Sequence, residues 1–149
     1  MWGSELIAQR PDFFRVIKDP FSGDDVVVVK ALRPEWAVIH VQEADIYGNA
    51  RILGPVFQDV LYTRAARKTI ITTEKIVDTA VLRQQPELTS IPHFLVEAVV
   101  LAPGGAAPGV SHPGYETVDD GVMKAYIRAV RDGTLTEYLA QATGRGEQA

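Results

Sequence analysis

Cysteine is absent from the 149-residue chain. That excludes a disulfide framework, a thiolate zinc site and a catalytic cysteine. There is also no block of lysine and arginine. Fifteen basic residues stand against 19 acidic ones, a formal charge of −4, and this balance argues against nucleic acid or an anionic membrane as partner. No apolar run approaches the roughly 20 residues that a bilayer-spanning helix needs, and no apolar leader segment opens the chain. The expected location is the cytoplasm. Histidine is scarce, and His40, His93 and His112 share no metal-ligand spacing, so no metal site is expected.

What is present suffices for one domain over residues 1–149. The chain is 46% hydrophobic and 23% charged, long enough for a real core. MWGSELIAQRPDFF reads as an irregular lead-in with at most a helical turn at Ser4–Gln9. FRVIKD and DVVVVKAL, separated by Pro20 to Gly23, read as strand, turn, strand. The unbroken valines of the second run predict burial on both faces.

Arg33-Pro34 ends that strand, and EWAVIHVQ begins another. PVFQDVLYTRAARK carries Val56, Val60, Leu61 and Ala65 at helical spacing, with Arg64, Arg67 and Lys68 at its C-terminal end. TIITTE returns as a strand. Strand, helix, strand predicts parallel pairing, so the fold class is α/β, with an open, mostly parallel sheet and flanking helices. KIVDTAVLRQQPELTSIP reads as a helical turn and a loop, HFLVEAVVLAP as a further strand at a sheet edge. The proline- and glycine-rich stretch from Pro103 to Gly114 predicts a long crossing loop. VMKAYIRAVRDG is a helix capped within Thr117–Asp120 and stopped by Gly133, with Val122, Tyr126, Ile127 and Val130 on one face and the stripe Val122, Tyr126 and Val130 expected to be core. A short helix around TEYLAQA and a polar tail, TGRGEQA, close the chain.

EADIYGNAR, directly after WAVIHVQ, puts unusual polarity at the mouth of a buried strand. Ligands of open α/β sheets bind outside the carboxyl ends of the strands. Gln42, Glu43, Asp45 and Asn49 fall on that rim, and Gly48 is expected to take a positive φ. The chemistry admits two readings. Asp45 and Asn49 either cap the amides of their own loop, as Asx residues in turns do, or meet a ligand. Glu74, ending TIITTE at the same rim, is either a general base or a cap for the following turn. His40, inside an apolar strand, reads as a satisfied core histidine. Ser111 and His112, being adjacent, do not make a nucleophile and base pair, and Gly104-Gly105 lacks the GxGxxG context of a phosphate cradle.

The order of segments is itself informative. PFSG before a valine-rich strand, HVQEADIYGNA after the next strand and TEKIVD after the helix follow one another over about residues 3 to 130. In that order they resemble the C-terminal half of the A (alpha) subunit of family I coenzyme A transferases, the glutaconate type in particular. The resemblance implies an open α/β fold whose A and B subunits enclose the active site. It implies catalysis by a glutamate carboxylate that attacks an acyl-CoA thioester to give an acyl-enzyme anhydride. The released CoA thiolate then forms a glutamyl-CoA thioester, and an acceptor acid completes the exchange. In the glutaconate type that glutamate belongs to the B (beta) subunit.

Several expectations follow from the resemblance. This chain supplies no catalytic residue. Gln42, Glu43, Asp45, Gly48, Asn49 and Glu74 form a rim facing substrate or partner, with Asp45, Gly48 and Asn49 shaping the loop. Coenzyme A is a substrate and no cofactor is permanently bound. The partners are a B (beta) subunit, a chain carrying the N-terminal half with its Gly-rich loop, acyl-CoA and a carboxylic acid, but no nucleic acid and no membrane. The family commonly has a basic residue where this chain has Glu43. Two alternatives stand beside the transferase: a subunit of a hydrolase of the same fold acting on a CoA-linked, sterol-derived ring, and a non-catalytic partner chain. A missing half also leaves one side of the sheet exposed, so the chain is expected to associate.

Overall fold

Valine and isoleucine runs broken by glycine and proline give this chain its strands, and the computed structural model describes them within residues 3–115 and 117–143. The chain forms two compact units, residues 1–34 and 35–149. In the first, a single turn of helix α1 (Leu6–Gln9) precedes β1 (Phe14–Lys18), which pairs antiparallel with β2 (Asp25–Val29). The turn between them is locked by Asp19, whose Oδ1 accepts the N–H groups of Phe21 and Ser22. The β2 valines are not buried on both faces as their continuity predicts: Val28 and Val29 are exposed. A two-stranded ribbon has no stacked layer of its own, so it buries little.

In the second unit β3 (Trp36–Ala44) runs parallel to β5 (Lys68–Ile76), which runs parallel to β6 (Ala98–Leu101). The two-residue β4 (Ala50–Arg51) returns antiparallel on β3, and the sheet order is β4-β3-β5-β6. This is the expected open, mostly parallel α/β sheet, with β6 at an edge. Helix α2 (Asp59–Ala65) connects β3 and β5 after β4. It starts only at Asp59 because Pro55 and the residues after it occupy a loop, so Val56 lies outside the helix. Strand β3 runs two residues past Gln42, since β4 offers Glu43 and Ala44 partners in Arg51 and Ala50.

Side chains alternate across a strand, and here the two faces differ. Ile39 and Val41 of β3 join Ile71 of β5, Ile91, Ala44 and Ala50 in the core, with Val60 of α2 packed against them. On the opposite face lie Trp36, Val38, His40 and Gln42 of β3, Thr72 and Glu74 of β5, and Val100 of β6. Trp36 is 49%, Val38 62% and Val100 46% exposed. The face is thus apolar and open at the amino ends of its strands, a state that parallel sheets avoid by covering both faces.

Helix α3 (Thr79–Gln84), capped by Asp78, follows β5, and short 3₁₀ turns at Pro86–Leu88 and His93–Leu95 lead to β6. The last of these takes the first residues of the expected strand, which is therefore four residues long. Residues 102–115 form the expected crossing segment, with a single bridge between Ser111 and Tyr115. Helix α4 (Asp120–Asp132), capped by Asp119 and stopped by Gly133 at φ +75°, is followed by α5 (Leu135–Ala142). The stripe expected to be core is instead exposed: Val122, Tyr126 and Val130 lie open, as does Ile127 on the same face. Helix α4 packs chiefly on α5, which covers only part of its circumference. The end of the polar tail, residues 144–149, lies outside the described residues, and among the described residues no helix is long and apolar enough to cross a membrane.

The open sheet face makes association the expected behaviour of the isolated chain. Sedimentation velocity at micromolar concentration should find species larger than a monomer, and Val38→Lys should shift the distribution toward monomer. A stable wild-type monomer would contradict this.

Candidate functional site

At the end of β3 the chain reverses through Asp45–Asn49, and one carboxylate organises the reversal. Asp45 is fully buried. Its Oδ1 accepts the backbone N–H groups of Tyr47 at 3.0 Å, Gly48 at 2.9 Å and Asn49 at 2.9 Å, and its Oδ2 accepts the Asn49 amide at 2.8 Å. Burial pushes the Asp45 carboxyl upward, but the hydrogen bonds from Asn49, Thr79 and Tyr47 outweigh it and hold the group below its ordinary value. Asp45 is therefore a buried anion whose charge is met by donors. Asn49 extends the clasp, its Oδ1 accepting the His93 backbone N–H at 3.1 Å.

Gly48 is required twice over. Its φ is +103°, a conformation costly to any L side chain, and an added Cβ would lie 2.8 Å from Cβ of Val96.

Glu43, the residue of the rim most suggestive of a catalyst, faces Arg51 across the β3–β4 pair. Its Oε2 is 3.6 Å from Nη1 of Arg51, whose side chain is only 5% exposed. Nη2 of the same guanidinium donates to the carbonyls of Val81, Leu82 and Gln85, at 3.2, 3.0 and 3.0 Å. Glu43 thus serves as counter-ion to a buried arginine that ties the end of α3 to β4.

Gln42 and Glu74 point to the other face, beneath residues 102–115. The Gln42 amide donates to the His112 carbonyl at 2.8 Å and to Oγ of Ser111 at 3.3 Å, while its Oε1 accepts the Leu53 N–H at 2.9 Å. Glu74 Oε1 receives Nε2 of His40 at 2.7 Å and the Tyr115 hydroxyl at 2.9 Å, and Oε2 accepts the Gly104 N–H at 2.8 Å. The Tyr115 oxygen in turn accepts the Ala106 N–H at 2.8 Å. Nδ1 of His40 meets Oγ1 of Thr72 at 2.9 Å, so both ring nitrogens are occupied, as a satisfied core histidine requires. Burial pushes the Glu74 carboxyl up, yet the bonds from Gly104, His40 and Tyr115 bring it below its ordinary value. Burial first, then the adjacent Glu74 anion, raises the Tyr115 phenol.

The rim residues therefore form three separate devices: Asp45, Gly48 and Asn49 in the turn, Glu43 with Arg51 behind α3, and Gln42 with Glu74 under the crossing segment. A carboxylate with a depressed pKa and both oxygens accepting hydrogen bonds is a weak base and a hindered nucleophile. Among the described residues no group of three or more His, Asp or Glu side chains is arranged to hold a metal ion. Arg51, Tyr115 and the pairing of His40 with Glu74 were not legible in the sequence. Arg51 alone carried a signal, a single cation placed just after a buried strand.

This sheet with its polar carboxyl rim belongs to a known class. The chain is a member of the coenzyme A transferase family, whose sequence profile matches residues 1–102. It is 40% identical over 116 residues to the A-type polypeptide of glutaconate CoA-transferase from Acidaminococcus fermentans, covering 77% of this chain and 36% of that one. It is 33% identical over 138 residues to the A-type polypeptide of 3-oxoadipate CoA-transferase from Pseudomonas knackmussii, covering 92% and 48%. The crystal structure of the Acidaminococcus glutaconate enzyme superposes with a TM-score of 0.83 at 32% identity, over 95% of this chain and 49% of that one. The chain thus spans half or less of the length of these relatives.

Removing the turn's keystone should cost stability. Asp45→Ala leaves at least three N–H groups without their acceptor, a loss of about 2–4 kcal/mol, and Gly48→Ala should cost roughly 2 kcal/mol through its backbone conformation and the Val96 contact. Both are read by denaturant unfolding. Because the folded Asp45 pKa lies below the unfolded one, its stabilisation is complete above the ordinary aspartate pKa and is lost as pH falls through the folded value. The wild-type-minus-Asp45→Asn stability difference should therefore shrink under acid conditions.

Proposed function

We propose that this chain forms the A-side wall of an acyl-CoA:carboxylate CoA-transferase, and that a B-type partner chain supplies the glutamate nucleophile. The observation that carries this reading is the state of the rim in a member of this family. Glu43 and Glu74, its two carboxylates able to act as nucleophile or base, are both engaged in holding backbone or a buried cation. A wall of this kind shapes a site without attacking the thioester.

In this reading Asp45, Gly48 and Asn49 fix the rim loop, while Gln42 and Glu74 seat the 102–115 segment beside it. Glu43 keeps Arg51 neutralised, which accounts for an acidic residue where the family commonly has a basic one. Acyl-CoA and a carboxylic acid are the substrates, and CoA enters as substrate with no permanently bound cofactor. A B-type chain and the other half of the A-type fold complete the assembly, which works in the cytoplasm. Residues 1–149 act in it as one functional domain.

Assaying CoA exchange with and without a B-type chain and the remaining A-type half tests the proposal. The isolated chain should be inactive and the reconstituted complex active. Robust turnover by the chain alone would refute it. In the complex, Glu74→Gln should lower stability by about 1–3 kcal/mol and Glu43→Gln by about 2 kcal/mol or more, with exchange persisting in both. Abolished exchange in a folded Glu74→Gln complex would make Glu74 the nucleophile. Turnover without an acceptor acid would identify a hydrolase, and activity indifferent to every rim substitution would identify a scaffold chain.

A further inference from the structure

Two walls of the carboxyl rim are held rigid by buried charged groups, and the space between them is concave. One wall is the 45–49 turn, fixed by Asp45; the other is α3, whose end is tied to β4 by Arg51. Between them opens a cleft of about 460 Å³ whose lining includes Tyr47, Asn49, Thr79, Arg83, Thr89 and His93. Leu82 and Pro86 supply apolar lining. Among the described residues no carboxylate lines it. Asp45, which bonds both Asn49 and Thr79, has its oxygens taken up by the turn, and Asp78 is spent on the N–H of Ala80 as the α3 cap.

The Arg83 guanidinium is the cationic donor lining the cleft. Arg83 has no hydrogen bond or ion pair to any described residue. His93 donates from Nδ1 to Oδ1 of Asn49 at 3.3 Å, so its open Nε2 meets an oxyanion as a donor only when the ring carries both protons. The hydroxyls of Tyr47 and Thr89 complete the polar lining. An unpaired guanidinium, an imidazole and two hydroxyls in a preformed pocket with some apolar surface match a small molecule bearing an oxyanion.

We propose that this cleft binds the oxyanion of a small metabolite, with Arg83 as the principal contact and His93 as the second. Carboxylate and phosphate share this chemistry. The proposal rests on the transferase reading only for its probes, since a dicarboxylic acid offers a carboxylate remote from the reacting one and coenzyme A offers phosphates.

Titration calorimetry on the full chain decides the matter with four probes: glutarate, its uncharged diamide glutaramide, coenzyme A and pantetheine, the last lacking phosphate. Saturable binding of glutarate is expected if the oxyanion is a distal carboxylate, and of coenzyme A but not pantetheine if it is a phosphate. Arg83→Gln should weaken the bound probe at least about tenfold, as loss of a charge-assisted contact does, Arg83→Lys should restore part of it, and His93→Gln should weaken it a few-fold. Arg83 is exposed, so these variants should keep the wild-type circular dichroism and melting temperature. Absence of saturable binding to every probe, glutaramide and pantetheine binding as well as their anionic counterparts, or unchanged affinity in Arg83→Gln would overturn the proposal. Arg83-dependent binding in a chain whose reconstituted complex transfers no CoA would sink the transferase reading and leave the cleft standing.

Discussion

A single buried carboxylate sets the geometry of the rim. Asp45 sits where β3 ends, and by accepting three successive backbone N–H groups and the Asn49 amide it replaces the hydrogen bonds that the strand can no longer provide. Taking a carboxylate out of water is costly, and that cost is offset only when nearly every lone pair finds a donor. The requirement makes the turn stiff: the donors must converge on one point, which forces Gly48 into positive φ and brings it against Val96. Through Asn49 the same anion reaches His93 and so sets the position of the segment leading to β6.

The other two polar devices work on the same principle with different partners. Arg51 is a buried cation that gathers three carbonyls at the end of α3, with Glu43 close enough to balance its charge. Glu74 is a partly buried anion that gathers an imidazole, a phenol and a backbone N–H, and thereby seats the proline- and glycine-rich segment that has no regular structure of its own. In each case a charge compensates backbone groups that helix or sheet leaves unpaired. A rim assembled in this way has well-placed surfaces and few free reactive groups, which is the basis of the wall proposed above.

One face of the sheet is well covered and the other is open at its amino end. Helix α2 and the residues around Ile91 cover the first, whereas Trp36, Val38 and Val100 meet solvent on the second. The chain spans about half the length of the relatives it matches. The exposed stripe of α4 belongs to the same pattern. Its apolar periodicity is sound, yet the helix it chiefly packs on is the short α5.

Much of this architecture was written in local sequence. Valine-rich runs bounded by Pro20 to Gly23 and by Arg33-Pro34, the helix between two strands, the glycine stop at Gly133 and the positive φ of Gly48 follow from backbone sterics and side-chain period, which act over a few residues. Asp45 and Asn49 were legible as turn-formers for the same reason. Burial was not: Val28 and Val29 of β2 and the stripe of α4 have the composition of core and lie exposed, because what covers a face is decided by distant chain. Nor were the partners of Glu43, Glu74 and Gln42, which lie 8, 41 and 70 residues away at Arg51, Tyr115 and His112. Whether a carboxylate is a catalyst or a clasp depends on which donors the fold brings to it, and only the tertiary structure decided that.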